Sequence, residues 1–168
     1  MPVTPSTTRN VADYTSLALI IPSLQGLTTR GVIQELADTL HRVEGFTDHL
    51  LPGLAALNNE LLTSASLDGG AAIPQVRLEG VTSPRFALGR SLKPFLWRAS
   101  FYPPIEFVFL VIKPTKNSDD SRQLDIALTA LAANAAQLNQ LRAARNAEEV
   151  LTVLAQCPVS VGGKSVKT

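Results

Sequence analysis

The chain has 168 residues, 45% of them hydrophobic and 17% charged, and carries fifteen basic against fourteen acidic side chains. That composition is too apolar for a disordered chain and fits one globular domain. A formal charge of +1 offers no broad attraction to nucleic acid or to an anionic membrane. The apolar runs fall far short of the roughly 20 residues that a membrane helix needs. A single cysteine, Cys157, excludes an internal disulfide and a cysteine-based metal cage. With no apolar leader at the N-terminus, the expectation is a cytoplasmic protein without cofactor or metal.

Residues 1–14, with Pro2 and Pro5, read as a loose N-terminal arm. Leu17–Ile21, between Ser16 and Pro22, reads as a buried strand. Thr28 or Thr29 can cap the helix that follows. In that helix Val32, Ile33, Leu36, Ala37, Leu40 and Val43 recur at helical spacing, and Gly45 closes it. A second helix is predicted over Thr47–Leu62, its start blurred by Pro52 and Gly53. Phe86–Gly89 and Ile105–Ile112 read as strands. Between them, residues 94–104 hold Phe95, Trp97, Phe101 and Tyr102 among prolines, suited to a partner surface or to local packing over the sheet edge.

After Pro114, Ser118 can cap a long helix with Asp119 and Asp120 in its first turn, where the helix dipole favours them. Its apolar stripe is Leu124, Leu128, Leu131, Ala135 and Leu138. Asn146 with Glu149 forms a capping-box start for a last helix, which Pro158 ends, and residues 158–168 read as a flexible tail. Strands alternating with amphipathic helices over 15–157 predict a single α/β domain with helices packed on a sheet.

The chemistry is concentrated between Gly69 and Arg85. Small residues from Gly69 to Ala72 let the backbone pass close to other groups. Ile73 is held extended by Pro74, which has no N–H to donate. Gln75 follows, then Val76, Arg77, Leu78, Glu79 and Gly80. This segment resembles the active-site stretch of the enzyme IIA domains of the bacterial phosphotransferase system, of the mannitol, fructose and nitrogen type. The resemblance runs over Leu17–Leu154 and includes Ala87–Arg90 with Lys93 and Pro94, Phe107–Leu110 with Lys113 and Pro114, Leu141–Ala144 and Ala147–Val150. It implies a mixed sheet with helices on both faces, and docking to a protein partner such as a phosphocarrier protein, a kinase or a transporter.

At the position where the resemblance implies a phosphorylated histidine, the chain has Gln75. An imidazole nitrogen offers a lone pair, and its pKa near 6.5 keeps that form populated. The amide nitrogen lone pair of glutamine is delocalised into its carbonyl, so the side chain hydrogen-bonds but is no nucleophile. The resemblance further places Asn59 where the family has an assisting arginine, Thr63–Asp68 where it has a glycine-rich loop, and Arg122 or Gln123 where some members have a second histidine. The candidate site is therefore a degenerate phosphoryl site of Asn59, Gln75 and Arg77, with no catalytic residue assigned. Two readings stay open: a regulatory protein-binding module, or a phosphocarrier using another acceptor such as Ser64, Ser66 or His49. The remaining candidates read as structural: His41 and His49 on helix surfaces, and Cys157 as a packed thiol. Arg77, Arg85 and Arg90 form either a solvated basic rim or an anion-binding patch.

Overall fold

The computed structural model describes residues 9–26, 28–45, 70–95, 104–116 and 118–159. Among them run β1 (Arg9–Asn10), β2 (Ile20–Ile21), α1 (Thr29–Glu44), β3 (Ala71–Ala72), β4 (Gln75–Arg77), β5 (Arg85–Phe95) and β6 (Ile105–Lys113). They are followed by α2 (Asp119–Ala132), α3 (Ala135–Ala143), α4 (Ala147–Leu154) and β7 (Pro158–Val159). The predicted helix over Thr47–Leu62 and the loop Thr63–Asp68 lie outside the described residues, as does most of the aromatic stretch 94–104.

The main sheet is mixed. β2 runs parallel to β5, β5 antiparallel to β6, and β3 and β4 both parallel to β6. β3 and β4 form one edge strand interrupted at Ile73 and Pro74; across the interruption Pro74 O still accepts from Val111 N at 2.9 Å. A proline is tolerated there because an edge strand needs its donors on one side only.

Side-chain alternation along β6 sorts the core. Phe107, Phe109 and Val111 face one way with Phe86, Leu88, Ala71 and Ile73, against Leu124, Leu128 and Leu131 of α2, Leu138 and Leu141 of α3, and Val150 and Leu154 of α4. Val108, Leu110 and Ile112 face the other way with Ala72, Val76 and Ala87, against Val32, Ile33, Leu36 and Leu40 of α1. A strand buried on both faces is apolar throughout, which is why β6 reads as an unbroken run. Helices therefore cover both faces, as the sequence predicts.

Caps form where polar side chains stand ahead of apolar stripes. Thr28 Oγ1 accepts from Gly31 N at 3.0 Å to start α1, and Gly45 ends it in the left-handed conformation, φ 79°. Ser118 Oγ accepts from Ser121 N to start α2. Asn146 Oδ1 accepts from Glu149 N to start α4, but the box is not reciprocal: Glu149 turns back to Arg145, accepting from its backbone N–H at 2.7 Å and from its guanidinium. Those bonds hold the Glu149 carboxyl below its ordinary range.

Several expectations are corrected. The strand over Leu17–Ile21 shrinks to Ile20–Ile21, because residues 17–19 tighten into a 3-10 turn closed by Leu19 N to Ser16 O. The long helix after Ser118 breaks at Ala133 and Asn134, where Asn134 Oδ1 takes the Gln137 N–H and starts α3. The last helix stops at Leu154 rather than at Pro158, which opens β7. The loose arm expected over residues 1–14 is corrected from residue 9 onward, where β1 pairs with β7 and Val11 and Tyr14 are buried. That pairing also places the first two residues of the expected tail in a sheet. β5 is longer than the predicted strand, continuing past an irregularity between Arg90 and Phe95.

Candidate functional site

Gln75 opens β4, beyond the break that Ile73 and Pro74 impose on the edge strand. Alternation then aims Gln75 and Arg77 to the same side as Ile73, while Val76 turns to α1. The register pairs Gln75 with Val111 and Arg77 with Lys113, so Lys113 at the end of β6 faces the same way. Over that side lies the first half of α2. Three polar side chains from two neighbouring strands thus converge on one helix.

Asp125 of α2 receives two of them, Gln75 and Lys113. Gln75 Nε2 donates to Asp125 Oδ1 at 3.0 Å, and Lys113 Nζ donates to Asp125 Oδ2 at 2.5 Å. The orientation of the Gln75 amide follows from its partner: an ionised carboxylate only accepts, so the NH2 end must face it. Lys113 is just 4% exposed, whereas the Asp125 side chain is 30% exposed. The lysine is the deeper member, and its charge is tolerated there because the carboxylate meets it directly. Arg77 donates from Nη1 to Pro114 O at 3.2 Å and makes no ion pair among the described residues. A cavity of about 270 Å³ opens beside this group, lined by Arg77, Lys113, Ser118, Ser121, Arg122 and Asp125.

Of the predicted site residues, Gln75 and Arg77 fall on the same side of the same strand, and Asn59 lies outside the described residues, as do Ser64, Ser66 and His49. Of Arg122 and Gln123, the two positions where the resemblance places a second histidine of some members, Arg122 lines the cavity. Lys113 and Asp125 were not anticipated. Lys113 ends an apolar run and Asp125 interrupts an apolar stripe, a pairing of buried-face charges that could have flagged them.

The three arginines do not form one patch. Arg85 pairs with Glu44 at 3.0 Å and donates to Asp13 O. Arg90 donates to the carbonyls of Pro22, Leu141, Arg142 and Ala144, at 2.9, 2.8, 3.3 and 2.6 Å. Only Arg77 lines the cavity. Cys157 is packed, with Sγ 3.6 Å from Val153 O, and burial pushes its thiol up, away from the thiolate a nucleophile needs. Among the described residues no cluster of side chains is suited to a metal ion, and no helix is long and apolar enough to cross a membrane.

The family described as phosphoenolpyruvate-dependent sugar phosphotransferase system, EIIA 2, matches residues 14–157. The nitrogen regulatory protein IIA-Ntr from Neisseria meningitidis is 25% identical, with a TM-score of 0.70 over 86% of this chain and 98% of that one. The mannitol-specific cryptic phosphotransferase enzyme IIA CmtB from Escherichia coli is 15% identical, with a TM-score of 0.66 over 88% and 99%. Enzyme IIA of the E. coli mannitol system, in complex with its phosphorylated enzyme IIB, is 16% identical, with a TM-score of 0.62 over 84% and 96%. No curated protein matches the chain.

Proposed function

Because this chain belongs to the enzyme IIA type 2 family of the phosphoenolpyruvate-dependent sugar phosphotransferase system, we propose that it is a regulatory docking module of the nitrogen-regulatory kind whose position 75 accepts no phosphoryl group. The observation that carries this reading is the bond from Gln75 Nε2 to Asp125 Oδ1. An amide has no lone pair to spend on phosphorus, and this one is held by a carboxylate that Lys113 in turn fixes. Similarity to the Neisseria IIA-Ntr supports the regulatory kind. The complex of the E. coli mannitol enzyme IIA with phosphorylated IIB supports a protein partner, a fold-level analogy that the site chemistry here makes non-covalent.

The test is incubation with phosphoenolpyruvate, the general phosphotransferase enzyme and its carrier protein. The wild type stays unlabelled. Gln75→His takes up a trace, and adding Asn59→Arg raises that by at least about tenfold, equivalent to roughly 1.4 kcal/mol, because a guanidinium fork meets phosphate oxygens better than an amide. Stoichiometric label on the wild type, mapped by mass spectrometry to Ser64, Ser66, His49 or any other residue, would replace the docking reading with that of a working phosphocarrier.

A further inference from the structure

We infer that the cavity at the start of α2 binds a phosphate dianion non-covalently, through the side chains of Arg77 and Arg122. Its lining holds three cations, Arg77, Lys113 and Arg122, against one carboxylate, Asp125, together with the hydroxyls of Ser118 and Ser121. The carboxylate is already met by Lys113 and the Gln75 amide, so it projects little uncompensated charge into the space.

The arginines, in contrast, keep donors to spare. Arg77 uses one of its five N–H groups on Pro114 O. Arg122 spends one Nη2 N–H on Asp119 at 2.8 Å, and its side chain is 69% exposed, so its other donors stay available. Two guanidinium forks can therefore turn to a tetrahedral oxyanion, the geometry they match best. The helix end does not supply the site by itself. Its Ser121 N–H is taken by the Ser118 hydroxyl, which also donates to Ser121 Oγ at 2.9 Å. The Ser121 hydroxyl accepts from Ser118 and keeps its own hydrogen to donate to a phosphate oxygen.

Size limits the ligand. The cavity's 270 Å³ equals the liquid volume of about nine waters. That admits a phosphate with a small substituent and lies below the roughly 300–1,000 Å³ of pockets that bury drug-sized molecules. Two sources share the chemistry: free phosphate, or a phosphate monoester presented on a small organic group. Binding of either kind is independent of whether position 75 can be phosphorylated.

The experiment is a two-dimensional amide NMR titration of the whole chain at constant ionic strength. It is run near pH 8, above the second ionisation of a phosphate monoester at about 6. Inorganic phosphate is expected to give saturable shifts at the Gln75 side-chain amide and at the backbone amides of Ser118–Arg122. The double variant Arg77→Gln/Arg122→Gln should weaken binding at least tenfold, and Arg145→Gln, remote from the cavity and 83% exposed, should leave it unchanged. Single variants Arg77→Lys and Arg122→Lys serve as the folded controls, expected to weaken binding less than the double. Shifts no larger than those from sodium chloride at equal ionic strength overturn the site, as does a double variant that titrates like the wild type. A parallel titration with O-phosphoserine separates the sources: tighter binding than inorganic phosphate assigns a monoester, weaker binding assigns the free ion.

Discussion

Arg90 and Arg77 lie on neighbouring parts of the same sheet system and do opposite things. Arg90 is saturated. Its Nε ties Pro22 at the end of β2, and its Nη1 gathers the carbonyls of Leu141, Arg142 and Ala144 where α3 ends. Apart from a 3.4 Å contact from Ala144 N to Leu141 O, these carbonyls lie past the last regular helical bonds, so a guanidinium supplies donors there and complements the negative end of the dipole. Around Gln75 the polar groups are fewer and deeper, and the neighbouring Arg77 has donors unspent beside a cavity. A basic residue is a structural tie when several backbone carbonyls converge on its fork, and a candidate site residue when most of its donors face a cavity.

Three substitutions probe that contrast, beginning with the greatest loss. Arg90→Ala should destabilise the domain by about 3 kcal/mol, since it strands several carbonyls and each charged hydrogen bond contributes roughly 1.5–3 kcal/mol. Arg90→Lys should recover only part of this, because one ammonium cannot span both β2 and α3. Urea denaturation measures both, and a loss under about 1 kcal/mol for Arg90→Ala would put the tie in the same class as an ordinary surface contact.

Lys113→Met should cost less, about 2 kcal/mol. Removing one partner of a buried pair costs roughly 3–5 kcal/mol, but Asp125 is partly open to water and keeps the Gln75 amide. The same melts should show the added variant Asp125→Leu restoring stability in the Lys113→Met background, as expected when an apolar pair replaces a buried ionic one. An additive, unrelieved loss in the double variant would show that the two side chains act independently.

Arg77→Ala should shift stability by no more than about 0.5 kcal/mol, the range of surface residues that anchor nothing. A loss comparable to that of Arg90→Ala would show the Pro114 carbonyl contact to be a tie after all, and the distinction between the two arginines would disappear.

Much of the architecture is legible from one-dimensional pattern. The stripe from Val32 to Leu40 is buried on α1, and Val43, at its end, is exposed. Thr28, Ser118 and Asn146 cap the helices they precede, and the run from Ile105 becomes the central strand. These features are local: spacing of 3.6 or 2 residues and a side-chain oxygen within a turn of its acceptor amide. The break at Asn134 escapes because an asparagine inside an apolar stripe reads as a solvent-facing position until its side chain is seen taking the Gln137 N–H.

Sequence alone thus determined the α/β class and the chemistry denied to the Gln75 side chain, because an amide is no nucleophile in any fold, while helices on both faces followed from the family resemblance. Tertiary structure decided what Gln75 touches, which arginine is a tie, and where a cavity opens. Those depend on register: Arg77 lies opposite Lys113, and both fall beneath a helix that begins at Asp119, contacts across 12 to 50 residues of chain that no local spacing encodes. Pairing β4 with β6 one residue out of step would turn Gln75 to the α1 side, and the Gln75–Asp125–Lys113 cluster would not exist.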